Sequence, residues 1–316
     1  MVAAVNSLRF SRNYGFWSEQ EQAAINSSRV AIGGVGGDGF QLGLKLARMG
    51  VGSFSVADPE TFEAENVNRV EGAATSTLGR LKVEVFRERL LDINPAAHIE
   101  IWRDGVHAEN VEAFMADADL VFDESELTRP EVGTTIARQA RKQGIPDVLV
   151  MNVGFAAQVM SFDPRSAWTF ERFMGLPPEG SLEEIASMIV DLSRCLPYIP
   201  PYSDLRTLAS LQASDDDMAV SLPSISVGVD VASAIGSAQA FLHLTSAVSV
   251  RRPRPVWAPH MAYVDAYSMR AKIIRASRLT HLRNLGVAMV RHQMRLNPPA
   301  AYTRAEISAR IAATKY

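Results

Sequence analysis

A single cysteine, Cys195, stands in 316 residues, which excludes an intramolecular disulfide and any multi-cysteine zinc site. The six histidines show no ligand spacing, so no zinc is expected. Uninterrupted apolar runs are missing too. The longest apolar stretch, residues 223–250, carries Asp230, Gln239 and His243, and such groups cost several kcal/mol in a bilayer. It reads as a buried amphipathic helix, and no membrane partner is expected. The net charge of −3 provides no global pull toward nucleic acid or lipid. The N-terminus, MVAAVNSLRFSRNYGFW, has no apolar core followed by a small-residue cleavage site, so a cytoplasmic protein is expected. What the chain does have is 47% hydrophobic and 21% charged content without repeats, the composition of well-buried globular domains.

Periodicity along the first half alternates between two types. Helical patterns are expected over Glu19–Ile25, from Phe40 to Met49, over Leu81–Ile93, over Glu109–Met115 and from Pro130 to Gln143. Strand patterns are expected at Arg29–Ile32, Ser53–Ala57, His98–Trp102, Asp119–Phe122, Val148–Val153 and Ala157–Phe162. Strands alternating with helices predict an α/β fold, a Rossmann-type, doubly wound and mainly parallel sheet. Prolines at 164, 177, 178, 197, 200 and 201 then break the chain up to the acidic run at 215–217. The expected organisation is an N-terminal helix and nucleotide-binding core at 1–165, a proline-rich insertion over the site at 166–220, and helical and strand elements at 221–316. That last part should hold a helix from Ser221 to Leu244, a helical stretch from just after Asp265 to about Leu296, and a short helix over Thr303–Ala312.

The chemistry begins at Gly34-x-Gly36-Gly37-x-Gly39, set between a strand and a helix. Glycines let a phosphate reach bare backbone amides, and the following helix N-terminus adds partial positive charge. The alternative reading is a tight strand-to-helix turn, and the loop alone does not separate ATP from NAD or FAD. Asp58 closes the second strand, where an acid in this fold accepts hydrogen bonds from a ribose. Asn66-Val67-Asn68-Arg69 then argues for phosphate handling, because hydride transfer has no need of paired amides and an arginine at that place.

Three stretches together, RVAIGGVGGDGF, VADPETFEAENVNRV and LGRLKVEVFRERLLDINP, resemble the ThiF/MoeB branch of the ubiquitin-activating superfamily, over about Leu8 to Asp163. RFSRNYGF resembles the family's start, whose second arginine crosses a homodimer to the partner's ATP. The resemblance implies that Gly34, Gly36, Gly37 and Gly39 cradle phosphate, Asp58 holds the ribose, Asn66 and Arg69 contact phosphates, Lys82 lies near the α-phosphate, and Arg12 acts in trans. It also implies ATP and magnesium as cofactors and adenylylation of a carboxylate as the reaction. A carboxylate approaching an anionic phosphate meets repulsion of roughly 4 kcal/mol per charge pair at an effective dielectric near 20, which converging cations relieve.

Two departures bear on the acceptor. The family's D-x-x-D-N reads Asp123-Glu124-Ser125-Glu126-Leu127 here, which makes Glu126 the expected magnesium ligand, with Asp123 the candidate if the register shifts. The zinc cysteines of members that act on carrier proteins are absent. A small-molecule or peptide carboxylate is therefore the expected acceptor, and a ubiquitin-like or sulfur-carrier protein or an RNA carboxyl the less favoured one. Ten basic residues from Arg251 to Arg295 form either a clamp for an acidic partner or a solvated or dimer-contact face. Cys195 reads either as an acyl or sulfur acceptor or as a structural residue. A nucleotide-binding scaffold that kept the fold and lost the chemistry is the competing reading, and a dinucleotide oxidoreductase is the third.

Overall fold

A computed structural model describes residues 8–188, 190, 200, 202, 223–250, 252–294, 306, 309 and 310. Its elements run α1 (Glu19–Ser27), β1 (Arg29–Gly33), α2 (Gly37–Met49), β2 (Ser53–Ala57), α3 (Lys82–Ile93), β3 (His98–Trp102), α4 (Val111–Phe114), β4 (Leu120–Asp123), α5 (Pro130–Gln143), β5 (Asp147–Val153), β6 (Ala156–Phe162), α6 (Phe170–Met174), α7 (Leu182–Ala186), α8 (Ser226–Leu244), β7 (His260–Asp265), β8 (Arg270–Arg275) and α9 (Arg278–Gln293).

The strands form one eight-stranded sheet in the order β3-β2-β1-β4-β5-β6-β7-β8. Pairing is parallel from β3 to β5 and antiparallel from β5 to β8. β1, with three consecutive residues at 0% exposure in Val30, Ala31 and Ile32, is buried on both faces, as a central parallel strand covered by helices must be. Chain order reverses between β1 and β4. The carboxyl ends of those strands therefore open a crevice of the kind that binds ligands in open α/β sheets.

Local chemistry starts and stops the elements. Ser18 and Glu21 make a capping box at the start of α1, and Pro130 occupies the first turn of α5. α8 is long and apolar enough to cross a membrane by length and composition. It packs instead on α2, β5 and β6, bringing Gly228, Ala232, Ser233, Gly236 and Ser237 inward. Small residues let the helix axis approach closely: a Cβ at Gly236 would stand 3.1 Å from Val150 and 3.2 Å from Leu42.

One expectation fails after Asp265. The stretch read there as helix opens with β8, which pairs with β7 as a hairpin from Asp265↔Arg270 to His260↔Arg275, and α9 begins only at Arg278. Alternation in Met261-Ala-Tyr-Val-Asp265 carries the strand signal, with Met261, Tyr263 and Asp265 buried. β8 is an edge strand buried only at Ile274, so it shows little periodicity to read. Cys195 and most of the helix expected over Thr303–Ala312 lie outside the described residues.

Candidate nucleotide site

β1 ends at Gly33 and α2 begins at Gly37, so the glycine turn lies on the β1 side of the crevice. Gly34 takes φ +115°, and a Cβ there would stand 2.4 Å from the Glu124 carbonyl oxygen. A Cβ at Gly39 would stand 2.1 Å from the Gly34 carbonyl oxygen. Both positions exclude any other residue for steric reasons alone. Gly36 differs, because a Cβ there would meet nothing within 4 Å. The backbone at Gly36, just before α2, thus faces open space, as a phosphate cradle requires.

Two cationic side chains stand around the turn, Arg69 against it and Lys82 beside the acid that bonds it. Arg69 is half-buried; it donates from Nη1 to the Glu65 carbonyl at 2.8 Å and to Asn68 Oδ1 at 3.0 Å. Its Cγ would lie 3.9 Å from a Cβ placed on Gly37. Lys82, the buried first residue of α3, is ion-paired with Glu60. Asp58, at the end of β2, accepts from the Val35 backbone N–H at 2.8 Å and from the Glu60 N–H at 2.9 Å. Burial raises the Asp58 carboxyl, and the Lys82 charge opposes that rise. Asp58 therefore ties the glycine turn to the lysine side of the crevice. Asn66 is buried, and its side-chain oxygen accepts from the Glu63 N–H at 3.0 Å. It thereby braces the 3-10 turn Ala64–Asn66, whose last carbonyl accepts from the Arg69 N–H at 3.1 Å. Arg12 is exposed on the turn Ser11–Asn13. Trp17 nearby stacks on Phe241 of α8 with ring centroids 4.9 Å apart.

The acids sort differently from their sequence pattern. Asp123 is buried and accepts from the Ser125 N–H at 3.1 Å and its hydroxyl at 2.6 Å. Its Oδ2 would lie 2.6 Å from a Cβ on Gly133, so this oxygen faces α5. Burial pushes Asp123 up to about 6. Glu126 is exposed and accepts from the Thr128 hydroxyl at 3.0 Å. The acidic residues placed at the glycine turn are two others, Asp38 in the first turn of α2 and Glu124, whose backbone and stem lie against Gly34 and Gly39. Asp38 Oδ2 accepts from Asn152 Nδ2 at 2.8 Å, and burial raises this acid to about 7. Burial, then the neighbouring charges of Asp38, Asp123 and Asp147, raise Glu124 well above the carboxylate range. Glu124 Cγ would stand 3.2 Å from a Cβ on Gly39. Among the described residues no group of three His, Cys, Asp or Glu side chains gathers for a metal.

A family model described as the ThiF family matches residues 10–283. The chain belongs to the ThiF family. It is 32% identical over 149 residues to the tRNA threonylcarbamoyladenosine dehydratase of Bacillus subtilis, covering 47% of this chain and 57% of that protein. It is also 38% identical over 104 residues to the molybdopterin-synthase adenylyltransferase of Escherichia coli, covering 32% of this chain and 41% of that one. The aligned stretches thus span little more than half the length of these relatives, or less. In fold it is similar to the crystal structure of E. coli MccB with ATP, with a TM-score of 0.60, 15% identity, and coverage of 85% of this chain and 72% of that one.

Sequence reasoning on this ThiF-family chain did not single out Asp38, Glu124, Asn152 or Ser224. Ser224 donates from Oγ to Asn152 Oδ1 at 2.8 Å, and its carbonyl accepts from Asn68 Nδ2 at 2.9 Å. Asp38, Asn152, Ser224, Asn68 and Arg69 thus form one chain of side-chain and backbone contacts around the turn. The available signals were an acid inside a glycine motif and a second acid directly after Asp123.

Proposed function

We propose that this chain binds ATP at the Gly34–Gly39 turn and adenylylates the carboxylate of a small molecule or peptide. A carboxylate oxygen attacks the α-phosphorus, a C(O)O–P bond forms, and the bond from that phosphorus to the oxygen bridging to the β-phosphate breaks. Pyrophosphate leaves with that electron pair, and a nucleophile later resolves the acyl adenylate with release of AMP. The observation that carries the reading is the open face at Gly36, with Arg69 beside the turn and Asp58, which bonds the turn and feels the Lys82 charge, behind it. Arg69 and Lys82 offset the repulsion between acceptor and triphosphate and stabilise the pyrophosphate charge as it develops. Asp58 has lone pairs beyond its two backbone bonds with which to hold a ribose.

Magnesium is the cation such a reaction calls for, and it neutralises triphosphate charge when bound. The carboxyls at the crevice have the hard-oxygen chemistry that suits it, and buried oxygens of Asp38 and Glu124 have no partner there. The exposed Arg12 fits a role at the nucleotide of a second copy, so the working unit is a homodimer. Most of the second half of the proline-rich segment 166–220 lies outside the described residues, and the protein works in the cytoplasm.

ATP–pyrophosphate exchange across amino acids, peptides with free carboxylates, sulfur-carrier proteins and tRNA tests the reading. Exchange is expected with a small carboxylate or a peptide. Exchange restricted to a carrier protein or a tRNA would reassign the acceptor. Retained ATP binding without exchange on any acceptor would favour the scaffold.

A further inference from the structure

β5 outruns its neighbour at the crevice. Leu149 lies level with Asp123 at the end of β4, and β5 continues four residues further, to Val153, before turning into β6. At about 3.3 Å per residue this overhang makes a wall roughly 13 Å tall. Asn152 on the overhang donates to Asp38 in the first turn of α2 at 2.8 Å, so the wall stands against the glycine turn.

Three aromatic rings crown it. Phe155 lies in the β5–β6 turn, Tyr267 at the tip of the β7–β8 hairpin, and Tyr202 packs on both, with centroids 5.9 Å from Phe155 and 5.1 Å from Tyr267. Phe155 and Tyr267 are 5.4 Å apart. Rings at these spacings touch, so nothing enters between them and only an outer face receives a ligand. Tyr267 offers one, being 67% exposed. The tip is held in place. Asp265, 1% exposed, accepts from the Tyr267 N–H at 3.0 Å, the Ser268 N–H at 3.3 Å, the Ser268 hydroxyl at 2.6 Å and the Tyr263 hydroxyl at 3.3 Å. It also accepts from the Tyr202 hydroxyl at 3.2 Å, which in turn accepts from the Phe155 N–H at 3.2 Å. Met269, 87% exposed, closes the tip at φ +52°, a left-handed backbone uncommon for a residue other than glycine. Backbone strain kept at an exposed tip belongs with binding surfaces.

We infer that Phe155, Tyr202 and Tyr267 form a ledge for the acceptor: a short peptide whose carboxylate reacts at the nucleotide while an aromatic side chain stacks on the outer face of Tyr267. Two to three strand spacings of about 4.8 Å separate β1 from the ledge, roughly 10–15 Å. An extended peptide covers about 3.3–3.6 Å per residue, which places its aromatic residue about three or four positions before the reacting carboxylate. The Tyr202 hydroxyl is spent on Asp265 and the Phe155 amide, so that ring supports the ledge through its apolar edge. Asp265 is a positioning residue, since it orders the tip from beneath.

The inference deepens the adenylylation reading and rests on it for the carboxylate end alone. Hexapeptides of alanine and serine with a free C-terminal carboxylate, each carrying one phenylalanine at a different position, are titrated calorimetrically into the full-length protein with a non-hydrolysable ATP analogue. ATP–pyrophosphate exchange is followed in parallel. Binding is expected to be tightest with phenylalanine about three or four residues before the carboxylate, by at least about fivefold over the peptide without it. Tyr267→Ala should abolish that preference and Tyr267→Phe should keep it, both with the unfolding temperature of wild type, because the ring is exposed. Lysine at the favoured position should give no gain. Equal binding of all peptides, no peptide binding, a preference that survives Tyr267→Ala, or lysine preferred to phenylalanine overturns the ledge. Exchange without positional preference overturns the ledge and leaves adenylylation standing. A Tyr267-dependent preference without exchange keeps the ledge and overturns adenylylation.

Discussion

Glu21 shows how much of this protein depends on single buried charges. Its carboxylate accepts from Arg252 at 2.9 Å through both oxygens and from the Ser249 hydroxyl at 2.6 Å. The Arg252 bonds hold it down to about 2. A carboxyl depressed in the folded state contributes stability that is present above its unfolded value and is lost as pH falls through the folded one. Wild type should therefore lose this contribution between about pH 4.5 and 2. Glu21→Gln is expected to be less stable at pH 6 by about 1–2 kcal/mol and to show a flatter decline on acidification; urea unfolding at several pH values measures both. At the site, Arg69→Ala should weaken ATP about tenfold, near 1.4 kcal/mol, with little change in unfolding temperature, since Arg69 is half-buried and bonds only its own turn. Calorimetric titration with ATP would contradict the assignment of Arg69 if affinity were unaltered.

The elements that matter most are the strand ends and the turns that follow them. Along their lengths β1 and β4 carry no ionisable group inward but Asp123, which faces α5; their value lies in where Gly34 and Glu124 emerge. The Glu124 N–H donates to the Gly33 carbonyl at 3.0 Å, and the Gly34 N–H donates to the Ala57 carbonyl at 2.8 Å. These bonds extend both pairings past the strand ends and leave the turn no slack. Gly34→Ala forces a Cβ into the Glu124 carbonyl at a positive φ, with a cost of about 1–3 kcal/mol. A lower unfolding temperature is expected, together with loss of ATP binding in the protein that remains folded. Gly36→Ala meets no neighbour. It should fold as wild type does and impair only the ligand, so the pair of variants separates turn architecture from phosphate contact.

The described residues present one sheet that changes character across its width. The parallel half creates the crevice, and the antiparallel half, β5 to β8, extends it toward the C-terminus. On that flank the described surface leaves large apolar side chains exposed, including Ile273 at 66%, Leu279 at 78% and Leu282 at 61%. Apolar area of this kind marks interaction surfaces and suits the homodimer proposed here. Light scattering should give about twice the 34.5 kDa chain mass, and mixing an Arg12→Ala chain with a Lys82→Ala chain should restore exchange activity if Arg12 acts across the dimer. A monomeric mass, or mixed chains that stay inactive, would withdraw the trans role.

Legibility from sequence followed locality. Periodicity marked β2 and β3 to the residue and most other elements of the first half to within a residue or two, because buried parallel strands and amphipathic helices carry their period in neighbouring residues. The hairpin from His260 to Arg275 went unread: β7 alternates but over only six residues, and the edge strand β8, buried only at Ile274, has little alternation to show.

At the site, the glycine spacing, Asp58 and the Arg69 and Lys82 segments were all visible as motifs, and by itself the sequence determined the fold class and the glycine turn between β1 and α2. Only the tertiary structure decided which acids border that turn. Asp38, Glu124 and Asn152 come from positions up to 114 residues apart, and they meet because strand order reverses between β1 and β4. Such contacts are set by how strands pair across the sheet, and no local pattern encodes that.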